Sequence, residues 1–226
     1  MDDVEAALRL DVERQLERVL RALPSVTLTS RRAQTLQTEG RSNNEVFLIE
    51  SGWVSGSILL KSGARQIVSL YLPGDVIGFD DLFRSQTTET LSAITTAVVR
   101  RIDRRAVYRS VAANSEFALS VLATVSDVAR GLKLQLASIG RTPAQARVAA
   151  LLLKLAERLT SSSLADGSTF ELLASQNCIG DIVGLTPVHV NRTLMKLSAA
   201  SLIRRNAQTI TIVNVEALRQ EAEVPS

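Results

Sequence analysis

The chain has 226 residues, of which 46% are hydrophobic and 22% charged, as in a globular protein large enough for two small domains. One cysteine excludes an intramolecular disulfide and a cysteine-ligated cluster, and one histidine excludes the usual multi-histidine metal sites, so we expect no cofactor. The net charge of +3 leaves a nucleic-acid partner open, because the placement of the charge matters more than its sum. The sequence has no apolar run of the ~20 residues that span a bilayer and no secretion signal, which predicts a cytoplasmic protein without a membrane partner.

The N-terminal half combines a helix with a β-rich region. Residues 4–22 have apolar residues at helical spacing, and Pro24 ends this predicted helix. From about residue 28 to 102, short β-rich runs alternate with turn signals such as Ser62-Gly63 and Pro73-Gly74. This alternation predicts a compact antiparallel barrel or jelly roll. The runs predicted as strands are Glu45–Ile49, Trp53–Leu60, Gln66–Leu72 and Thr90–Val99.

A long helix is predicted next. Helical periodicity returns at Arg104, and residues 115–139 contain no proline and a single glycine. Apolar residues step by three or four along this stretch, which suits a coiled-coil seam between two copies of the chain. The alternative is a helix that packs on the core of its own domain. The residues predicted for the dimer interface are Leu122, Val125, Ala129, Leu132, Leu136 and Ile139.

A hinge is predicted after the long helix. Gly140 can end that helix, Thr142 can cap a new one together with Gln145, and Pro143 suits its first position. The new helix should run to about Leu159. We therefore predict three parts, which are a β-rich domain with flanking helices at 1–112, a dimerisation helix at 113–140 and a C-terminal domain at 141–226.

The most specific pattern lies in the C-terminal part. Ser175 can cap a short helix, Gln176 to Val183, and Gly184 supplies a turn. Thr186 can cap a second helix from Pro187 to about Ala199. Two short helices around a glycine turn, with polar residues exposed near the start of the second, form the pattern of a helix-turn-helix. The apolar residues spaced to pack the two helices together are Ile179, Ile182, Val183, Leu185, Val190, Leu194 and Leu197.

The segment after these helices predicts a basic wing. A strand begins at Leu202-Ile203, residues 204–208 are predicted as a turn, and residues 209–213 return as an alternating strand. A basic pair alone is more often a solvated turn, but this pair directly follows a helix-turn-helix, where phosphate contacts are expected. The residues predicted to contact DNA are Thr186, Val188, His189, Asn191, Arg192, Lys196, Arg204 and Arg205.

Several segments resemble the catabolite activator/fumarate-nitrate regulator (CRP/FNR) family of bacterial transcription regulators. NNEVFLIESGWV and YLPGDVIGFDDLF are similar to its effector domain, IGRTPAQARVAALLLKLAERL to its hinge, and IGDIVGLTPVHVNRTLMKLSAASLI to its helix-turn-helix. The resemblance implies an α+β fold with an N-terminal β-roll (a cupin-like jelly roll), a long dimerisation helix and a C-terminal winged helix-turn-helix. It also implies a homodimer that binds two-fold symmetric promoter sites and contacts RNA polymerase.

The family's base readers carry over only in part. Arg192 matches the family's guanine-reading arginine. Val188 stands where well-known members have a base-reading glutamate, so their operator sequences are not expected here. His189 and Asn191 occupy neighbouring exposed positions and can donate or accept at base edges.

The effector chemistry departs from the family pattern. Cyclic-AMP-binding members have a glycine-glutamate pair and an arginine-serine pair around the phosphate, whereas here Phe79 follows Gly78 and residues 87–90 (TTET) contain no arginine. A cyclic phosphate would lack a guanidinium partner and would face Glu89. Iron–sulfur sensing needs cysteines that are missing, and haem sensing lacks a histidine in the effector domain. We expect an effector other than cyclic AMP, or none; a cyclic-nucleotide-responsive regulator is an alternative.

Cys178 supports a second alternative, a redox-sensitive regulator. It lies in the first turn of a predicted helix, where the partial positive charge of the helix N-terminus would lower the pKa of its thiol. Oxidation there would block DNA binding. The other interpretation is a small side chain packed near the interface. Trp53 and Phe79 leave a similar choice between a ligand pocket and ordinary core.

An enzyme on the same β-roll is a rival class. Cupin-like enzymes usually hold a metal with several histidines, and the predicted barrel contains none. The only histidine, His189, is placed on the DNA-facing helix, so no Ser-His-Asp or Cys-His set can be assembled. A cyclic-nucleotide module that controls a protein partner is a further rival, against which the C-terminal winged helix argues. The sequence therefore predicts a DNA-binding regulator and not an enzyme.

Overall fold

The structure, a computed structural model, describes residues 2–139, 142–161, 164–165 and 168–222. The chain divides into two compact units, one formed by residues 1–58 and 70–133 and the other by residues 59–69 and 134–226. In the described ranges, no helix combines the length and the apolar character that a membrane span requires. No group of three or more His, Cys, Asp or Glu side chains in these ranges is arranged to hold a metal ion.

Two four-stranded sheets build the N-terminal β-roll. Their strands are β1 (Ser25–Ser30), β2 (Thr35–Gln37), β3 (Glu45–Ser51), β4 (Val54–Leu59), β5 (Arg65–Tyr71), β6 (Val76–Ile77), β7 (Thr90–Ala93) and β8 (Ala97–Asp103). One sheet has the order β1-β8-β3-β6 and the other β2-β7-β4-β5. The strand pairs are antiparallel, as the sequence predicts, and the two sheets stay open rather than closing into a barrel.

The alternation of side chains along a strand explains the two cores around these sheets. Phe47 and Val99 face inward and pack with residues of the second sheet, such as Leu91. Val46 and Ile102 face the other way, into a second core of buried residues. Phe79 and Leu82, which follow β6, belong to that second core. Three helices supply its other residues: α1 (Asp2–Ala22), α2 (Arg104–Ala113) and α3 (Ser115–Ile139).

One predicted strand is wrong in detail. The run Thr90–Val99 forms two strands, because the chain bends at residues 94–96 and passes from one sheet to the other. Trp53 holds this bend, with its carbonyl accepting from the Ile94 amide at 2.8 Å and its amide donating to Thr95 Oγ1 at 3.0 Å. Strands β1, β2 and β6 are missing from the sequence prediction. Strands β2 and β6, with three and two residues, are too short to show an alternating pattern.

The C-terminal unit contains the predicted winged helix-turn-helix. Its elements are α4 (Ala144–Ser161), β9 (Thr169–Glu171), α5 (Gln176–Val183), α6 (Pro187–Ala199), β10 (Ile203–Asn206), β11 (Thr209–Ile212) and α7 (Val215–Glu221). The wing sheet has the order β10-β11-β9, so β9, which lacks a clear sequence signal, supplies its third strand. Helix α4 begins one residue after Pro143, which was predicted as its first helical position, and the hinge residue Gly140 lies outside the described residues.

Candidate nucleic-acid interface

The first helix of the motif, α5, has the bounds that the sequence predicts. Ser175 Oγ accepts from the amide of Cys178 at 3.2 Å and caps the helix. Gly184 ends it with φ of 67°, a left-handed conformation that favours glycine. Gly180 allows the turn to pass close by, because a Cβ built there would lie 2.4 Å from the Leu185 carbonyl oxygen. The two glycines therefore set the sharp turn between α5 and α6.

The recognition helix α6 separates a buried face from an exposed one. Thr186 Oγ1 accepts from the amide of His189 at 3.3 Å, which fixes the start of the helix. Val190, Leu194 and Leu197 are buried, as predicted. The opposite face carries the exposed side chains of Val188, His189, Arg192, Met195 and Lys196. Val188 has 70% of its surface exposed, so a large apolar side chain stands at the N-terminal end of a polar face.

Asn191 is the exception on this face, because it is half-buried and bonded within the protein. Its Oδ1 accepts from Gln176 Nε2 at 3.1 Å and from Arg205 Nη1 at 3.3 Å. Three elements, α5, α6 and β10, therefore meet at one oxygen atom. Gln176 was not predicted as a residue of this surface, since contacts between elements leave no periodic signal in the chain.

The two wing arginines lie on a strand rather than in the turn where the sequence places them. Strand β10 continues through Asn206, which pairs with Thr209, so the turn contains only Ala207 and Gln208. Both arginines are exposed. Successive residues of a strand point to opposite faces, so Arg204 and Arg205 project from different sides of the wing. The sequence prediction of one basic tip is therefore wrong in its geometry.

Arg147, which lies on α4, supports the turn between α5 and α6. The sequence did not predict this role. Its Nη1 donates to the carbonyl oxygen of Val183 at 2.7 Å, at the C-terminal end of α5. The last carbonyls of a helix lack partners within the helix and carry partial negative charge, so a guanidinium is favourable there. The same Nη1 would lie 3.4 Å from a Cβ built on Gly184. Arg147 therefore packs against the turn as well as capping it.

Cys178 does not have the environment of a reactive thiol. Its side chain is buried, with 7% of its surface exposed. Burial, followed by the nearby carboxylate of Asp181, raises the pKa of the thiol to about 11. The lowered pKa that the position at a helix N-terminus suggests is therefore wrong, because loss of solvent outweighs the helix charge. At neutral pH this thiol is protonated, which favours a packing role.

In the β-roll, the segment at residues 87–90 is tied into the protein itself. Thr87 Oγ1 donates to the Thr38 carbonyl at 2.8 Å, and both the amide and the hydroxyl of Thr88 donate to Asp81 Oδ2 at 2.8 and 2.9 Å. Thr90 Oγ1 accepts from a backbone amide at 3.0 Å. The hydroxyl groups of these three threonines therefore bond to the backbone and to the carboxylate of Asp81, which is 5% exposed.

Glu89 belongs to this segment, and its side chain is buried. It is 7% exposed, and Tyr71 Oη donates to its Oε1. A Cβ built on Gly56 would lie 1.8 Å from Glu89 Oε2, so the carboxylate rests directly on the backbone of β4. Trp53 and Phe79 are both buried, at 2% and 6% exposure, and Phe79 packs in the core with α1, α2 and α3. A protein carboxylate thus occupies this part of the roll.

The chain is similar over most of its length to proteins of one family. Residues 28–114 match the cyclic nucleotide-binding domain and residues 146–221 the Crp-like helix-turn-helix domain. The chain is 33% identical over 202 residues to the nitrogen fixation regulation protein FixK of Rhizobium meliloti, and the match covers 87% of each chain. The fumarate and nitrate reduction regulatory protein of Escherichia coli is 24% identical over 191 residues, or 84% of this chain and 76% of that one.

A solved structure agrees with these matches. FixK2 from Bradyrhizobium japonicum superimposes with a TM-score of 0.82 at 26% sequence identity, covering 90% of this chain and 100% of the other. The matches to the two domains follow the same order along the chain as the β-roll and the winged helix-turn-helix. The resemblance found in the sequence is therefore confirmed. The chain belongs to the CRP/FNR family of DNA-binding transcription regulators.

Proposed function

We propose that this chain acts as a homodimer that binds two-fold symmetric promoter sites through α6 and the wing. The observation that carries the proposal is the division of α6 into a buried apolar face and an exposed face that bears Val188, His189, Arg192 and Lys196. A recognition helix of this kind places its N-terminal residues against base edges in the major groove. Within this proposal, Thr186 and the two wing arginines bind phosphates, which position the protein without reading sequence.

The proposed dimer interface is the part of α3 from Leu122 to Ile139. Near its start, Phe117 and Val121 are buried in the core of their own unit. Further along, Leu122, Leu132 and Leu136 are 60%, 49% and 75% exposed, a large apolar surface for a single chain. Ala129 is exposed, Val125 is half-buried, and the side chain of Ile139 lies outside the described residues. The division of the chain into a β-roll domain (1–112), a dimerisation helix (113–140) and a DNA-binding domain (141–226) is part of this proposal.

Binding-site selection from a random duplex library tests the proposed function. Sites enriched by the purified protein should be inverted repeats whose half-site centres lie about one helical turn, ~34 Å, apart, because a two-fold dimer places two recognition helices in successive major grooves. Enrichment of single half-sites, or of no sequence at all, would refute a dimeric promoter-binding protein. We place this activity in the cytoplasm, with RNA polymerase as the second protein partner, and assign no enzymatic activity to the β-roll.

Cyclic AMP is expected neither to bind at micromolar concentration nor to change the affinity for DNA. A cyclic phosphate in this part of the roll would meet the carboxylates of Glu89 and Asp81 without an arginine from residues 87–90 to balance its charge. Isothermal titration calorimetry and DNA titrations with and without the nucleotide measure both expectations. A stoichiometric cyclic AMP signal would contradict this expectation and support the cyclic-nucleotide-responsive alternative.

A further inference from the structure

We propose that Asn191 is a positioning residue, which fixes the wing arginine Arg205 above the recognition helix instead of reading a base edge itself. The inference rests on the proposed DNA-binding function and assigns a division of roles within the same surface. Arg192 reads the bases, and Asn191 sets the wing. The sequence alone predicts the opposite for Asn191, because its position on α6 is that of an exposed polar residue.

The side-chain oxygen of Asn191 is the atom that Arg205 contacts. A guanidinium only donates hydrogen bonds, so the Asn191 atom 3.3 Å from Nη1 must be the carbonyl oxygen. Gln176 Nε2 donates to the same oxygen at 3.1 Å. An amide oxygen has two lone pairs, and these two donors use both. The side-chain NH2 of Asn191 lies 4.0 Å from Met195 Sδ, one turn further along α6.

These contacts conflict with base reading by Asn191. An asparagine that reads adenine needs its oxygen to accept from N6 while its NH2 donates to N7. Here the oxygen is already occupied from two sides. Reading an adenine would break both bonds and leave the amide of Gln176 without its partner on α6. The hydrogen bonds that hold α5, α6 and β10 together at Asn191 are therefore favoured over contacts of this side chain with one base.

The same contacts prepare Arg205 for a phosphate. Ile203 is buried, and Arg205, two residues further along β10, points to the same face of the wing, toward α6. One of its five N–H donors is used by Asn191, and in the described part of the chain no other contact of this guanidinium is seen, which leaves donors for an anion. Holding the side chain before DNA arrives reduces the entropy that its ordering costs on binding. Arg204 points to the opposite face and provides a natural control.

A double-mutant cycle on DNA affinity tests the proposal. If Asn191 acts through Arg205, then Asn191→Ala should weaken binding about fivefold in the native background but less than about twofold in an Arg205→Ala background. At every position of the half-site, Asn191→Ala should rank the four bases by affinity in the same order as the native protein does. In the control cycle, Asn191→Ala with Arg204→Ala, the loss of DNA affinity in the double variant should equal the product of the losses in the two single variants. No contact between these two side chains is seen in the described residues.

Two outcomes would overturn the proposal. Multiplicative losses for Asn191 and Arg205, or relaxed preference at one base pair in Asn191→Ala, would make Asn191 an independent base reader. A second measurement needs no DNA. In ¹H–¹⁵N spectra of the free, full-length protein, Asn191→Ala should shift the side-chain NH2 signal of Gln176 and the Nε–Hε signal of Arg205, while that of Arg204 stays in place. If both signals stay in place, the two contacts of Asn191 do not exist in solution, whatever the DNA titrations give. Failure of the native protein to select any duplex would instead refute the proposed function.

Discussion

Arg192→Ala should weaken binding to the specific site about 5- to 150-fold per half-site and relax the preference at one base pair in each half-site. Arg192 is exposed one turn into α6, on the face opposite the buried Val190 and Leu194. An arginine there can make paired hydrogen bonds to O6 and N7 of a guanine, which are worth roughly 1–3 kcal/mol of discrimination against the wrong base. Titrations on the selected site and on its single-base variants, at several salt concentrations, measure the change.

Arg204→Ala is the matched control, since it removes the same charged group from the wing. A phosphate contact carries no sequence information, so this variant should lose affinity for specific and non-specific duplexes alike. Its plot of log affinity against log salt should become shallower by about one unit for each phosphate that the wing no longer neutralises. If Arg192→Ala instead lost affinity equally for every sequence, its role as base reader would be wrong, and specificity would have to come from Val188, His189 or DNA shape.

The bounds of the two motif helices could be predicted because each end has a local signal. A serine or threonine that accepts from an amide three residues on starts each helix, at Ser175 and Thr186. A glycine in the left-handed conformation ends the first one at Gly184. The buried and exposed faces of α6 followed from its 3.6-residue period. Such signals act within a few residues, so a single sequence contains them in full.

Features that depend on pairing between distant segments could not be predicted in the same way. The turn of the wing is two residues long because Asn206 pairs with Thr209, and nothing in the composition of residues 204–208 distinguishes a long turn from a continuing strand. The contact of Gln176 with Asn191 spans 15 residues and depends on how α5 crosses α6. For Cys178, the helix terminus is visible in the sequence but the burial is not, and burial decides the direction of its pKa shift.

Leu132→Asp is expected to convert the proposed dimer into monomers. Leu132 is 49% exposed on α3, in the middle of the apolar series that runs from Leu122 to Leu136. In a coiled-coil seam the side chain would meet its own copy, so each chain would bury a carboxylate facing another carboxylate. An unpaired buried charge costs about 3–5 kcal/mol, which raises the dimer dissociation constant by about 10²- to 10³-fold or more. Sedimentation equilibrium measures the mass directly.

Loss of the dimer should also reduce DNA affinity without any change in α6 or the wing. A monomer engages one half-site, so it loses the gain in affinity that a second, linked half-site provides, which is typically about 10²- to 10⁴-fold. Arg130→Asp is the control, because Arg130 is exposed on α3, forms an ion pair with Asp127 three residues away, and lies off the apolar series. That variant should stay dimeric and keep its affinity for the full site. If native protein already sedimented as a monomer, or if Leu132→Asp stayed dimeric with unchanged DNA affinity, α3 would not be the dimer interface, and the exposed leucines would need another partner.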